Sequence, residues 1–148
     1  MKIIPANIDH IELVAPLFDA YRQFYEQQSD LEGARAFISN NLKQQHSTIF
    51  LALDENDNAL GFVQLYPTWE SVSMTKRWVL YDLYVAEAGR KQGIATLLMN
   101  RAKQLAQDTQ AKYIMLETAV DNMKAQRLYE SLGYERDNEF YTYILDVS

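Results

Sequence analysis

The sequence predicts an α/β domain in which a mixed sheet is flanked by helices. Three observations carry this: apolar spacing that changes from a helical to a strand period after Lys43, two strand-like runs joined by a short polar turn, and a strand, helix, strand succession over residues 78–118. A hairpin is antiparallel, whereas a β-α-β crossover joins parallel strands. A sheet holding both is mixed, and helices cover its faces.

Lys2–Ile4 reads as a short strand. Asp9-x-x-Glu12 has the form of a capping box and opens a helix with Leu13, Leu17, Tyr21 and Phe24 or Tyr25 on one face, and a kink is expected at Pro16. A second helix is expected from Asp30 to Lys43, burying Leu31, Ala34, Phe37, Ile38 and Leu42. Thr48–Leu53 and Ala59–Tyr66 are strands joined by the polar residues 54–58, the mark of an antiparallel hairpin. A loop over Pro67–Thr75 leads to the strand Trp78–Val85. Then come a helix over Gln92–Asp108, a strand over Tyr113–Thr118, and a helix over Asn122–Leu132 closed by Gly133. The alternating tail Phe140–Val147 reads as a final strand. The order is β-α-α-β-β-β-α-β-α-β in a single domain over 1–148, without internal repeat, linker or low-complexity tract.

Composition removes several functions. With 0 Cys there is no disulfide, no cysteine zinc site and no acyl-cysteine intermediate. His10 and His46, the only histidines, fall at a helix start and before a strand, so neither a metal nor a histidine triad is expected. A net charge of −6 disfavours nucleic acid and anionic membrane as partners and suits a cationic small molecule. The start Met-Lys-Ile-Ile-Pro has no apolar signal core, and no run approaches the ~20 apolar residues of a membrane span, so a cytoplasmic location is expected. Charge is uneven: residues 1–89 carry 6 basic and 12 acidic side chains, residues 90–148 carry 8 of each.

The stretch Leu83 to Thr96 runs from an apolar strand through Gly89 and the pattern Arg-x-x-Gly-x-Ala (Arg90–Ala95) into a helix start. Unpaired N–H groups and the helix dipole suit an anion there, Gly93 admits close approach, and no Asp or Glu occurs from Gly89 to Gln107. A plain connector is the alternative. The Rossmann and P-loop glycine patterns are both absent. Further on, Asn122, Ala125 and Tyr129 share one helix face, with Tyr129 two turns, ~10.5 Å, from Asn122. Ala125 keeps that face thin enough for an extended ligand; the alternative is an amphipathic helix with Leu128, Tyr129 and Leu132 in the core.

Together the two elements resemble the GNAT N-acetyltransferase superfamily, whose signature pairs Arg/Gln-x-x-Gly-x-Gly/Ala with Asn-x-x-Ala-x-x-Leu-Tyr-x-x-x-Gly-Phe/Tyr; both occur here in order. The resemblance implies a mostly antiparallel central sheet and acetyl-CoA as cofactor, with CoA as product. It implies that backbone groups of Leu83, Tyr84 and Val85 bond the pantetheine arm. It also assigns the N–H groups of Lys91, Gln92, Gly93, Ile94, Ala95 and Thr96, beside Arg90, to the pyrophosphate. Asn122, Lys124 and Ala125 would lie along the cofactor, with Tyr129 facing its sulfur. Tyr66-Pro-Thr-Trp69, the strand Trp78–Val85 and Tyr21–Tyr25 resemble the branch of polyamine, diamine and D-amino-acid acetyltransferases. Spermidine/spermine enzymes carry Glu where this chain has Tyr81, which leaves acceptor and base open.

These residues suggest acetylation of a primary amine of a small molecule by direct attack in a ternary complex. Asp82 is the candidate base, or else a structural carboxylate, with Glu117 in reserve; Tyr129 is the candidate acid. A backbone N–H near Leu83–Val85 would meet the oxyanion. Tyr21, Tyr25, Tyr66 and Trp69, with Asp82 and Glu117, would bind the acceptor, though core packing also suits Tyr21 and Tyr25. The alternatives are acetylation of a protein N-terminus or lysine, a CoA-binding regulatory module, and an aminoacyl-tRNA-modifying toxin, for which the basic face is missing. A homodimer is expected from the resemblance.

Overall fold

Asn7, not Asp9, starts the first helical segment of the computed structural model, which describes all 148 residues. Asn7 Oδ1 accepts from the Asp9 N–H at 2.8 Å and His10 Nδ1 accepts from the Asn7 N–H at 3.0 Å, closing a capping box around a 3₁₀ turn over Ile8–His10. The expected Asp9–Glu12 box is thereby replaced, and Glu12 pairs with Arg35 at 2.9 Å. Helix α1 (Ile11–Phe24) continues through Pro16, which is exposed. Helix α2 (Leu31–Gln44) is capped by Asp30, whose Oδ1 accepts from the Gly33 N–H at 2.9 Å. Between them the buried Asp19 carboxylate takes bonds from the Ser29 hydroxyl at 2.7 Å and the Asp30 N–H at 2.8 Å, which ties the connection down. On α2 the expected buried face narrows to Ala34 and Ile38, because Leu31 and Phe37 lie at its margin, 39% and 48% exposed.

The chain divides into two compact units, Met1–Leu116 and Glu117–Ser148. The first contains a five-stranded sheet in chain order, β1 (Lys2–Pro5), β2 (Thr48–Leu53), β3 (Ala59–Glu70), β4 (Thr75–Val85) and β5 (Ile114–Leu116). The first three pairings are antiparallel, and β4–β5 is parallel through helix α3 (Ile94–Asp108). Alternation gives the sheet two apolar faces. Ile49, Leu51, Leu53 and Phe62 form one core with Val14, Leu17 and Phe18 of α1 and Ala34 and Ile38 of α2. Helix α3 packs on the other face, where Arg101 lies over the Phe50 ring at 4.2 Å and Trp78 Nε1 donates to Thr109 Oγ1 at 2.9 Å.

The β3–β4 hairpin is longer than its sequence suggests. Pro67 is accommodated inside β3 because the last β2 pairing is Thr48 with Leu65; beyond it the β2 side of β3 is an edge, where a missing N–H costs nothing. The turn then shrinks to residues 71–74, and the Glu70 carboxylate closes it by accepting from the N–H groups of Val72 and Ser73, both at 3.0 Å.

In the second unit, helix α4 (Met123–Ser131) is capped by Asn122, whose Oδ1 accepts from the Ala125 N–H at 3.1 Å. Its far end is a Schellman motif: with Gly133 at φ +92°, the Gly133 N–H reaches the Glu130 carbonyl at 3.1 Å and the Tyr134 N–H the Tyr129 carbonyl at 3.0 Å. The strand expected over Phe140–Val147 is not formed. Phe140, Tyr141, Tyr143, Ile144, Leu145 and Val147 stay 79–92% exposed without a ladder partner, and extended backbone is a strand only when its N–H and C=O groups are paired.

Candidate active site

One extra residue in β4 shapes the site. Gln64 of β3 faces Asp82, yet the next residue, Leu65, faces Leu80, so Tyr81 is the added residue of a β-bulge. Without it Leu80, Asp82 and Tyr84 would share a face. The bulge leaves Leu80 toward α3 and turns Asp82 and Tyr84 toward α1. Pairing with β5 also stops at Leu80, so the β5 side of Leu83, Tyr84 and Val85 carries no neighbouring strand. That edge is open to an extended ligand, apart from the Val85 carbonyl, which accepts from Arg90 Nε at 3.3 Å.

Asp82 is buried, and its Oδ2 accepts from Gln64 Nε2 at 2.6 Å. Gln64 is 0% exposed, and its Oε1 accepts from Ser47 Oγ at 2.7 Å and Asn41 Nδ2 at 3.0 Å. Asn41 Nδ2 also donates to the Tyr66 hydroxyl at 3.0 Å. Burial raises the Asp82 pKa above the ordinary aspartate value of 3.8, and the hydrogen bond from Gln64 and the nearby Tyr21 hydroxyl pull in the other direction without overcoming it. Desolvation and the nearby Asp82 charge raise the phenols of Tyr21 and Tyr66 as well, so both stay protonated donors.

Aromatic rings line the approach to this carboxylate. The Tyr21 hydroxyl donates to the Tyr81 carbonyl at 3.2 Å, and its ring meets Tyr25 edge-on at 5.1 Å. Tyr66 and Tyr81 meet edge-on at 5.3 Å, with Tyr81 62% exposed. Such rings attract a cation through their faces. Of the residues expected at the acceptor site, Tyr21, Tyr66 and Asp82 come together and Tyr25 borders them. Trp69 stands exposed toward the hairpin tip, and Glu117 is exposed beyond the end of β5.

At the start of α3 the loop has the features an anion needs. Arg90, Lys91 and Gln92 are exposed, Lys91 and Gly93 have φ of +62° and +74°, and no side chain caps the helix. The first intrahelical bond runs from Leu97 N to Gly93 O, so the N–H groups of Ile94, Ala95 and Thr96 precede it. A Cβ built on Gly93 would meet nothing within 4 Å. The space above the loop is therefore open to a pyrophosphate, and the residues present fit the CoA group. Gly93→Val is expected to cost about 1–3 kcal/mol through its left-handed backbone and to raise the KM for acetyl-CoA, as checked by denaturation and steady-state kinetics.

The second unit presents Asn122, Lys124 and Ala125 on the first turn of α4, with Asn122 Oδ1 engaged in the cap. Tyr129 is half-buried, its ring 6.1 Å from that of Tyr134, and burial and Tyr129 push the Tyr134 phenol up to about 12. The Schellman motif places these two rings together, since it brings its third-last helical residue against the residue after the glycine.

Asn41, Ser47 and Gln64 were not legible beside the candidate base, and Tyr81 stood out only as the departure from the Glu of the spermidine/spermine enzymes. The signal available was Gln64, the one amide in the apolar run Gly61–Leu65 and in phase with Phe62 and Tyr66. A cleft of about 560 Å³ shares only Ser47 with the polar network and is otherwise lined by such residues as Asn7, Lys43 and Trp78, away from Asp82. No group of three or more His, Asp or Glu side chains is arranged to hold a metal ion.

Residues 14–134 match the Acetyltransferase (GNAT) family. The chain is 43% identical to a Bacillus subtilis protein named as an uncharacterized N-acetyltransferase, YhfO, over 99% of this chain and 98% of the relative. It is 33% identical to a probable acetyltransferase of Haemophilus influenzae over 100% and 99% of the two chains. A crystal structure of a probable acetyltransferase superposes with a TM-score of 0.95 at 46% identity, covering 100% of this chain and 99% of that one. None of the three is named for the polyamine, diamine or D-amino-acid branch, so that finer expectation is not supported by them. With the signature, the bulged mixed sheet and the open helix start in agreement, the chain belongs to the GNAT acetyltransferase family and is an acyl-CoA-dependent acetyltransferase.

Proposed function

We propose that this enzyme acetylates a primary amine of a small cationic molecule, a polyamine, diamine or amino acid, by direct attack in a ternary complex. The supporting observation is Asp82, a buried carboxylate at the bulge, beside the rings of Tyr21, Tyr66 and Tyr81. Leu83, Tyr84 and Val85 would hold the pantetheine arm, Arg90 to Thr96 the pyrophosphate, and Asn122, Lys124 and Ala125 would lie along the cofactor. When bound, acetyl-CoA supplies an acyl group activated as a thioester.

An alkylamine of pKa ~10.4 is protonated at pH 7, and exposing its lone pair costs roughly 4.6 kcal/mol. Asp82 takes up that proton directly or through water, with Glu117 in reserve; a carboxyl raised by burial is the better base of its kind. The aromatic rings hold the cation before it loses its charge. Tyr129 serves as the acid for the leaving thiolate. Tyr129→Phe is expected to lower kcat about 10²-fold, the low end for acid–base catalysis, with the KM for acetyl-CoA unchanged in steady-state assays.

The deciding experiment is acetyl-CoA turnover against polyamines, amino acids of both hands, aminoglycosides and peptides. Activity on small amines supports the reading. Turnover confined to peptides replaces it with a protein N-terminus or lysine, and CoA binding without turnover replaces it with a regulatory module. A cytoplasmic homodimer belongs to the same reading; no helix is long and apolar enough to cross a membrane.

A further inference from the structure

Gln64 is the most deeply buried polar side chain beside Asp82, and every polar atom of its amide is committed. Its orientation follows from its partners. Turned over, its oxygen would face Asp82 Oδ2 at 2.6 Å, acceptor against acceptor, and its nitrogen would face Asn41 Nδ2, donor against donor. Asn41, on α2, is itself fixed by its second bond to Tyr66, and Ser47 precedes β2. Three elements therefore converge to aim one N–H at one carboxylate oxygen.

From this geometry we propose that Gln64 is a positioning residue of the acetyl transfer: it engages Asp82 Oδ2 as an acceptor and leaves Oδ1 to receive the proton of the amine. The inference rests on the reading of Asp82 as the base. A neutral amide suits the task, since it supports the ionised carboxylate without the counter-charge that would make it a poor base. The surroundings match. Tyr21 from α1 and Tyr66 from β3 are the titratable groups turned toward Asp82, Tyr81 borders them on β4, and β5 contributes only Ile-Met-Leu. Arg101 of α3 lies on the opposite face, over Phe50. Asn41 and Ser47 add no charge.

The test follows the Asp82 carboxyl carbon by ¹³C NMR across a pH series, in parallel with the pH profile of kcat/KM. Gln64→Glu keeps the acceptor that Ser47 and Asn41 need but sets a second carboxyl oxygen against Asp82 Oδ2, so Gln64→Met, which removes the donor without adding charge, is measured beside it and must shift the Asp82 titration in the same direction. The expected result is that the Asp82 titration and the acidic limb of kcat/KM both move to higher pH. Below the limb, activity falls about tenfold to a hundredfold, the worth of one hydrogen bond to a charged group, with the KM for acetyl-CoA unchanged. A merely structural role would scale activity equally at every pH. Should Gln64→Glu not fold, the side-chain amide signals of Gln64 in the unaltered enzyme serve instead, since they must titrate together with Asp82. Amide signals that ignore the Asp82 titration, or an Asp82 titration unmoved in Gln64→Glu, overturn the proposal. Full activity in Asp82→Asn would instead overturn the reading of Asp82 as base, and the NMR linkage separates the two failures.

Discussion

Asp82→Asn is expected to lower kcat/KM for the amine by about 10²–10⁴-fold, the range for loss of a general base, while acetyl-CoA affinity stays within about twofold. Asparagine has nearly the shape of aspartate and still offers Gln64 Nε2 an acceptor, so the fold around the bulge should persist. What disappears is the capacity to bind the proton. The pH dependence has a defined sign. The Asp82 pKa lies above 3.8 in the folded chain, so activity falls as pH drops through that raised value and the carboxylate is neutralised. Stability runs the other way: the fold binds this proton more tightly than the unfolded chain does. The Asp82 contribution is thus fully present below 3.8 and is lost as pH rises through the folded value. Asp82→Asn should accordingly melt higher than the unaltered enzyme at neutral pH, and the difference should close below pH 3.8. Thermal denaturation at two pH values checks this independently of any acceptor. Unchanged turnover in Asp82→Asn would remove it as the base.

The loop proposed for the cofactor was legible because the features that suit an anion there are local. An anion loop between a strand and a helix needs a glycine with left-handed backbone and a run free of acidic residues, and both are readable within Gly89–Gln107. The acceptor half depends on register. Leu80, Asp82 and Tyr84 alternate in sequence as if on one face, and only the pairing of Leu65 with Leu80 shows that the bulge at Tyr81 separates them. Gln64 looks like an isolated polar residue in a core strand until Asn41 and Ser47, 23 and 17 positions away, arrive as partners. The alternating tail misleads in the opposite direction. Its period is that of a strand, but strand formation is a property of the pair, and residues 140–147 have no ladder.

Phe62→Ala is expected to destabilise the first unit by about 3–5 kcal/mol, a large share of the ~5–15 kcal/mol that holds a domain together. Phe62 is fully buried between the sheet and α1, meeting Phe18 edge-on at 6.3 Å and Tyr21 at 6.0 Å with the ring planes 82° apart. Removing the ring leaves a cavity that α1 and α2 cannot close without leaving Leu51 and Ile38, which share the same core. Urea denaturation should show the loss as a lower midpoint with an unchanged slope, since the surface exposed on unfolding stays nearly the same. Phe62→Leu, which keeps most of the volume, should cost markedly less; an equal cost would mean that the aromatic contacts, not the cavity, carry the effect. The substitution also reaches the chemistry. Tyr21 stands on Phe62 and directs its hydroxyl to the Tyr81 carbonyl beside Asp82, so a ring that loses its floor no longer holds the acceptor side of the site. Under conditions where Phe62→Ala remains folded, the KM for the amine should therefore rise more than that for acetyl-CoA, because Gly93 and the start of α3 lie on the opposite face of the sheet, and of the residues proposed for the cofactor only Tyr84 packs against this core.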